Sequence, residues 1–230
     1  IDASFAKSRM ESMREQEILA EITNISHDLR TPLTSISGYL ELIGEEELSP
    51  EQKENLDVVQ RRTAYLNQLI AQLYEYSRLE NRELPLKQER LDITHLFKEH
   101  ILAFYGEFEK AGLKLTLRLT DEPLWVSADE NGLLRIFHNL TSNCLKYGQK
   151  EASISLECTA GQAVLTFRNP AEGFTEKDAE QIFHRFYRKD ASRNAQGSGL
   201  GMSVAKLLSE QMGGRLDAQL EEGMLAIRLL

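Results

Sequence analysis

Between Ile18 and Ile43 the apolar residues return at every third or fourth place: Ile18, Ile22, Ile25, Leu29, Leu33, Ile36, Leu40 and Ile43. That spacing gathers them on one face of a helix. The polar segment GEEELSPE follows, with Ser49 suited to cap a helix and Pro50 to its first position. A second stripe, Leu56, Val59, Leu66, Ile70 and Leu73, predicts a second helix, and the short connection makes the pair an antiparallel hairpin. Two helices bury little by themselves, so a homodimer forming a four-helix bundle is the expected completion.

The pattern changes after the polar, proline-bearing segment Asn81–Arg90, which reads as a linker. Period-two alternation in LKLTLRLT (Leu113–Thr120) and ASISLEC (Ala152–Cys158) predicts strands, as do AVLTFR (Ala163–Arg168) and the closing GMLAIRLL. Helical spacing predicts helices over Leu91–Ala111, Glu130–Tyr147, Glu176–Phe186 and Gly201–Met212. The whole is an α+β chain. A helical hairpin, residues 1–82, is followed by a sandwich, residues 83–230, with helices over a mainly antiparallel sheet.

Composition narrows the partners. A net charge of −9 argues against nucleic acid or an anionic membrane as the main one. Cys144 and Cys158 do not form a CxxC pair and point to a reducing compartment. No run is apolar enough to span a bilayer. The chain starts at Ile1 rather than Met, so we expect a fragment, with room for a membrane anchor before it.

Two places carry candidate chemistry. In ISHDLRTPLT (Ile25–Thr34), His27 falls ~160° from the centre of the apolar stripe and so faces solvent. Taken by itself, that is an ordinary surface histidine. Its neighbours add a carboxylate, Asp28, able to take an imidazole proton, and a hydroxyl, Thr31, one turn on. Pro32 removes a backbone donor and should bend the helix.

The second place lies in the sandwich. Arg135, Asn139, Asn143 and Lys146 step by four, four and three along one helix face, opposite Leu133, Phe137, Leu140 and Cys144. An amphipathic helix with a solvated face accounts for this. Amide oxygens with a nearby ammonium also suit a Mg²⁺–triphosphate, and Tyr147 can stack on a base. The loop QGSGLGMSV (Gln196–Val204) runs into a helix, so its backbone amides can approach phosphate. In IFHRFYRKDASR, Phe183 and Phe186 read as packing anchors. Arg185, Arg188, Lys189 and Arg193 supply cations, although a solvated basic face also accounts for Arg185 and Lys189, and residues 188–198 read as a lid over a nucleotide.

With these residues in view, the chain resembles the bacterial two-component sensor histidine kinases over nearly its whole length. SHDLRTPLTSI resembles their H-box, NLTSNCLKYG their N-box, IFHRFYR their F-box and GSGLGMSV their G2 box, in the family's order. The resemblance implies a dimerisation and phosphotransfer hairpin followed by a GHKL-type ATP-binding domain. It makes His27 the phosphorylated residue, Asp28 its acid–base neighbour and Thr31 an aid to hydrolysis of an aspartyl phosphate on the partner. It makes Asn143 a Mg²⁺ ligand supported by Asn139, turns Lys146 and Arg188 to the phosphates and Tyr147 to adenine, and places Gly197, Gly199, Leu200 and Gly201 at the end of the lid. The implied cofactors are ATP and Mg²⁺. The implied partner is the receiver domain of a response regulator, and the implied setting is the cytoplasmic portion of an inner-membrane sensor.

One box departs from the family. Where its G1 motif reads Asp-x-Gly-x-Gly, this chain has NPAEGF: Asn169 replaces the aspartate, Ala171 the first glycine, and Gly173 keeps the second. An asparagine carbonyl can still accept from an adenine amino group, but without charge. ATP binding is therefore expected, in a weakened form. Two other readings stand beside this one: a dimeric module that binds and dephosphorylates the regulator without ATP, and a GHKL ATPase of the chaperone or topoisomerase kind, which has no use for the H-box.

Overall fold

The computed structural model describes residues 25–26, 28–189 and 198–230. They form two compact units, one ending at Leu84 and one beginning at Pro85. His27, Gly197 and Arg193, together with Ile18 and Ile22 of the apolar stripe, lie outside the described residues.

In the first unit, helix α1 (28–44) runs without interruption through Pro32. Pro32 has no amide hydrogen to offer the carbonyl one turn back. The Thr34 hydroxyl donates to the Arg30 carbonyl at 2.9 Å and Ser35 to that of Thr31 at 3.3 Å, so side chains serve the backbone beside the proline. Helix α2 (Pro50–Glu80) starts on the expected cap. Ser49 accepts from the Gln52 amide, and the Gln52 side chain accepts from the Ser49 amide at 2.8 Å. The antiparallel register is set by Asn67 donating to Ser37 at 3.1 Å, by Gln60 donating to the Leu40 carbonyl at 3.2 Å, and by Arg30 lying 4.7 Å above the Tyr74 ring. Much of the apolar stripe stays on the surface: Ile25, Leu29, Ile36, Ile43, Val59 and Leu66 are all exposed. Two helices cannot enclose a core, and a single chain leaves this face uncovered.

The second unit is a two-layer sandwich. Strands β1 (Glu89–Asp92) and β3 (Trp125–Ala128) pair antiparallel as a small separate sheet. The main sheet has the order β2-β4-β5-β7-β6, with β2 Lys114–Leu119, β4 Glu151–Thr159, β5 Gln162–Pro170, β6 Leu216–Glu221 and β7 Met224–Leu229. Only the edge pair β2–β4 is parallel. Helices α3 (Ile93–Lys110), α4 (Glu130–Tyr147) and α6 (Gly201–Gln211) pack together and on the sheet; α5 (Glu176–Gln181) is short. The core centres on Phe97, with Phe137 at 5.0 Å and Phe167 at 5.9 Å, both edge to face. This geometry favours the positive ring edge against the negative ring face.

Four expected helices are present in the sandwich, but α5 ends at Gln181 rather than Phe186. Ile182 and Phe183 turn inward and are buried, while the Phe186 amide is taken by the Gly199 carbonyl at 3.1 Å. Phe183 is the anchor that was anticipated. Phe186 is not: it is 51% exposed, with φ at +60°.

His100 sits against Phe104 at 4.7 Å and pairs with the Thr141 hydroxyl at 3.1 Å. Burial, reinforced by the nearby charge of His138, pushes its pKa down to about 4, against a small opposing effect at the Phe137 backbone. The unfolded chain therefore binds a proton near pH 6.5 that the folded chain refuses. Stability falls as pH drops from 6.5 towards 4, by about 1–2 kcal/mol once solvent screening of a half-exposed ring is allowed for. Urea denaturation across that window should show the slope in the natural chain and a flatter profile in His100→Gln.

Candidate functional site

The site begins at α4. Asp129 caps the helix, accepting from the Gly132 amide at 2.7 Å, and the apolar residues Leu133, Ile136, Phe137 and Leu140 are buried in the core. The opposite stripe is thereby turned outward, with Asn139 and Asn143 half-buried and Lys146 and Tyr147 exposed. Lys146 Nζ lies 5.1 Å above the Tyr147 ring. Cys144, on the buried side, has its thiol pushed up to about 12 by desolvation and is no nucleophile.

The glycine loop meets this stripe directly. A Cβ placed on Gly201 would stand 2.9 Å from Asn139 Oδ1, so the start of α6 approaches the asparagine as closely as a backbone can. No side chain caps α6, and the Leu200 amide instead bonds the Ser198 hydroxyl at 3.1 Å. The Ser203 hydroxyl turns back onto the Leu200 carbonyl at 2.8 Å. The first-turn amides of such a helix have no partner within it and favour an anion. Leu200 itself is fully buried, so it holds the loop down rather than reaching for a ligand.

Gly199 joins the glycine loop to the segment after α5. Its φ is +72°, and a Cβ there would lie 2.8 Å from the Phe186 carbonyl carbon and 3.0 Å from the Tyr187 oxygen. Arg188 follows, half-buried. Lys189 then crosses to the turn after β5. Its ammonium donates to the Gly173 carbonyl, approaches Asp178 at 3.3 Å and sits 4.3 Å above the Phe174 ring. Lys189 is thus a tie between two loops rather than part of a solvated basic face. At the base of that turn Asn169 is almost wholly buried, and its amide donates to the Pro170 carbonyl at 3.1 Å. Gly201 thus approaches Asn139 and Gly199 approaches Phe186 and Tyr187, while Asp178 joins Tyr187 to Lys189, which reaches Gly173.

Asp178 was not anticipated. It forms a capping box with Thr175, accepts from Tyr187 Oη at 2.6 Å and faces Lys189. These bonds, Tyr187's foremost and then the Thr175 amide and hydroxyl, hold its carboxyl well below the usual carboxylate range. Burial and the Asp178 bond raise Tyr187 to about 12. The capping box was visible as Thr175-x-x-Asp178; the bonds to Tyr187 and Lys189 carry no local signal. Replacing Lys189 by Met, which keeps the stem over Phe174, should speed amide exchange across 171–175 by about two- to fivefold and leave β4 unchanged.

Asp28 and Thr31 are exposed on α1 in the other unit. Among the described residues, no group of three or more His, Cys, Asp and Glu side chains is placed to hold a metal ion.

Residues 128–227 match the family described as "Histidine kinase-, DNA gyrase B-, and HSP90-like ATPase", and residues 18–82 the "His Kinase A (phospho-acceptor) domain". Fold and site thus define an ATP-binding GHKL domain joined to a phospho-acceptor hairpin. The chain is 32% identical over 225 residues to the sensor histidine kinase YcbM of Bacillus subtilis, covering 95% of this chain and 70% of that one. It is 29% identical to the sensor protein SrrB of Staphylococcus aureus, covering 88% of this chain but only 36% of SrrB. In fold it is similar to full-length ShkA, solved in complex with AMPPNP (TM-score 0.78, 21% identity, 91% of this chain and 45% of that one). It is similar also to the histidine kinase ThkA, solved in complex with the response regulator protein TrrA (TM-score 0.67, 20% identity, 98% and 65%). The chain belongs to the bacterial sensor histidine kinases, ATP-dependent enzymes that phosphorylate a histidine.

Proposed function

We propose that residues 1–82 form a dimerising phosphotransfer hairpin and residues 83–230 the ATP-binding catalytic domain that phosphorylates it. The observation that supports this most is the approach of Gly201 to Asn139 Oδ1, which brings the N-box helix and the uncapped α6 terminus together as one anion-binding corner. The α6 amides, Lys146 and Arg188 bind and orient the triphosphate, and Tyr147 packs against the base. Asn143, supported by Asn139, presents a neutral oxygen of the kind Mg²⁺ accepts alongside phosphate and water. Mg²⁺ there would offset charge on the transferring group. Asp28 takes the proton from His27 as an imidazole nitrogen bonds to the γ-phosphorus and the bond to the β–γ bridging oxygen breaks, releasing ADP. The phosphoryl group then passes to an aspartate on a response-regulator receiver domain, and Thr31 positions water for its later hydrolysis. A second copy covers the exposed stripe of α1 and α2. A preceding segment tethers the chain to the inner membrane; among the described residues no helix is long and apolar enough to cross a membrane.

Labelled ATP with Mg²⁺ tests this proposal. The chain should acquire an acid-labile, base-stable label. Steady ATP turnover without such a label would instead indicate a chaperone-type ATPase.

ATP affinity separates the kinase from an ATP-impaired module, and Asn169 bears on that affinity. Its amide nitrogen donates to the Pro170 carbonyl, and its side-chain oxygen is the acceptor proposed to meet an adenine amino group. Asn169→Asp sets a carboxylate against that carbonyl in a buried site. The variant should therefore be less stable without nucleotide, and it should bind ATP about three- to tenfold more tightly through a charge-assisted bond. Calorimetric titration and thermal unfolding with and without ATP measure both effects.

A further inference from the structure

Asp178 uses its two carboxylate oxygens for different tasks. Oδ2 accepts from the Thr175 amide at 2.7 Å and the Thr175 hydroxyl at 2.8 Å, and these bonds start α5. Lys189 Nζ approaches the same oxygen at 3.3 Å. Oδ1 has no part in the cap and accepts from Tyr187 Oη at 2.6 Å. A short bond from a hydroxyl to a carboxylate is of the strong, charge-assisted kind. α5 gives it a fixed base, because Ala179, Ile182 and Phe183 are buried.

The bond matters for where Tyr187 stands in the chain. Phe186, just before it, has φ at +60°. A bulky residue keeps that conformation only where its surroundings enforce it. The Phe186 amide donates to the Gly199 carbonyl at 3.1 Å, and a Cβ on Gly199 would come 3.0 Å from the Tyr187 carbonyl oxygen. Next to Gly199, Leu200 opens α6, and Gly201 abuts Asn139 Oδ1. On the other side of Tyr187 the next residue is Arg188. The Tyr187 backbone thus adjoins both groups assigned above to phosphate: the α6 amides across Gly199, and Arg188 across one peptide bond.

We propose that Asp178 is a positioning residue for nucleotide binding: through Tyr187 it holds the backbone of Phe186 to Arg188 where Arg188 and the first-turn amides of α6 meet phosphate. Asp178 acts through Tyr187 and does not itself touch the nucleotide. The inference rests on the nucleotide reading given under the proposed function.

The whole chain is titrated with ATP and Mg²⁺ by calorimetry and with adenosine by NMR. Tyr187→Phe keeps the ring and loses one hydroxyl. It should weaken ATP about three- to tenfold and leave adenosine unchanged, because the bond positions groups for phosphate and not for the base. Asp178→Ala should weaken ATP by a similar factor, and the double variant by no more than either alone, since both substitutions remove the same bond. Thr175→Ala is the control: it weakens the cap of α5 and lowers thermal stability, but it keeps the Tyr187 bond and should keep the ATP affinity. Absence of ATP binding in the natural chain would overturn the nucleotide reading and this inference together. Where the natural chain binds ATP, four results would each overturn the inference alone: unchanged ATP affinity in Tyr187→Phe, an equal loss for adenosine, additive losses in the double variant, or the same loss in Thr175→Ala.

Discussion

His27→Gln should acquire no label from ATP under conditions in which the natural chain is phosphorylated within minutes, a fall below about one percent of wild type. Glutamine matches imidazole in reach and hydrogen bonding but has no basic nitrogen to attack phosphorus. The loss should therefore appear in chemistry and not in folding. ATP affinity should be unchanged, because the proposed nucleotide corner draws on α4, α6 and the loops that Lys189 ties, all in the second unit. Thermal unfolding should also be unchanged, since the wheel places residue 27 on the polar side of its helix. Acid-quenched filter binding measures the label and calorimetry the affinity. A label persisting in His27→Gln would place the acceptor elsewhere, and lost ATP binding would mean that the substitution acts through structure.

Gly199→Val should weaken ATP binding by about a hundredfold. Two costs combine. A β-branched residue at φ +72° is strained by itself, and its Cβ would be driven into backbone: the Phe186 carbonyl carbon at 2.8 Å and the Phe186 Cα at 2.9 Å. Backbone cannot move aside as a flexible side-chain tip can. The bond from the Phe186 amide to the Gly199 carbonyl would break, and the start of α6 would shift from Asn139. The core around Phe97 lies on other elements, so cooperative unfolding should survive. Gly112 supplies the control: its φ is +67°, but nothing lies within 4 Å of a Cβ there. Gly112→Ala should lose about 1 kcal/mol of stability and keep its nucleotide affinity. If both variants bind ATP normally, the contact of the glycine loop with Phe186 and Tyr187 has no part in nucleotide binding.

Much of the architecture was legible in residue spacing. The expected bounds of the N-box helix, Glu130–Tyr147, are those of α4, because a capping aspartate, a strong apolar stripe and Gly148 all act within a few residues of it. Ser49 and Pro50 start α2 for the same reason. The four motif boxes were legible too, since each is a short run whose chemistry depends on near neighbours. The asparagine in place of the family's aspartate could likewise be read at once.

Other features depended on partners far along the chain. β1 and β3 are four residues each, too short for alternation to show, and each is a strand only because Glu89 to Asp92 pair with Ala128 to Trp125. β6 is an exception: Leu216, Ala218 and Leu220 alternate with polar residues and β7 follows across a tight turn, so its signal is local. Distant partners also decide the end of α5 at Gln181, the turning of Phe186 out to solvent, and the reach of Lys189 to Gly173 and Asp178. Helix periodicity, caps and glycine turns are set by interactions a few residues apart, so the linear chain declares them. The β1–β3 pairing and the Lys189 ties join groups 11 to 39 residues apart, and only the folded chain brings those together.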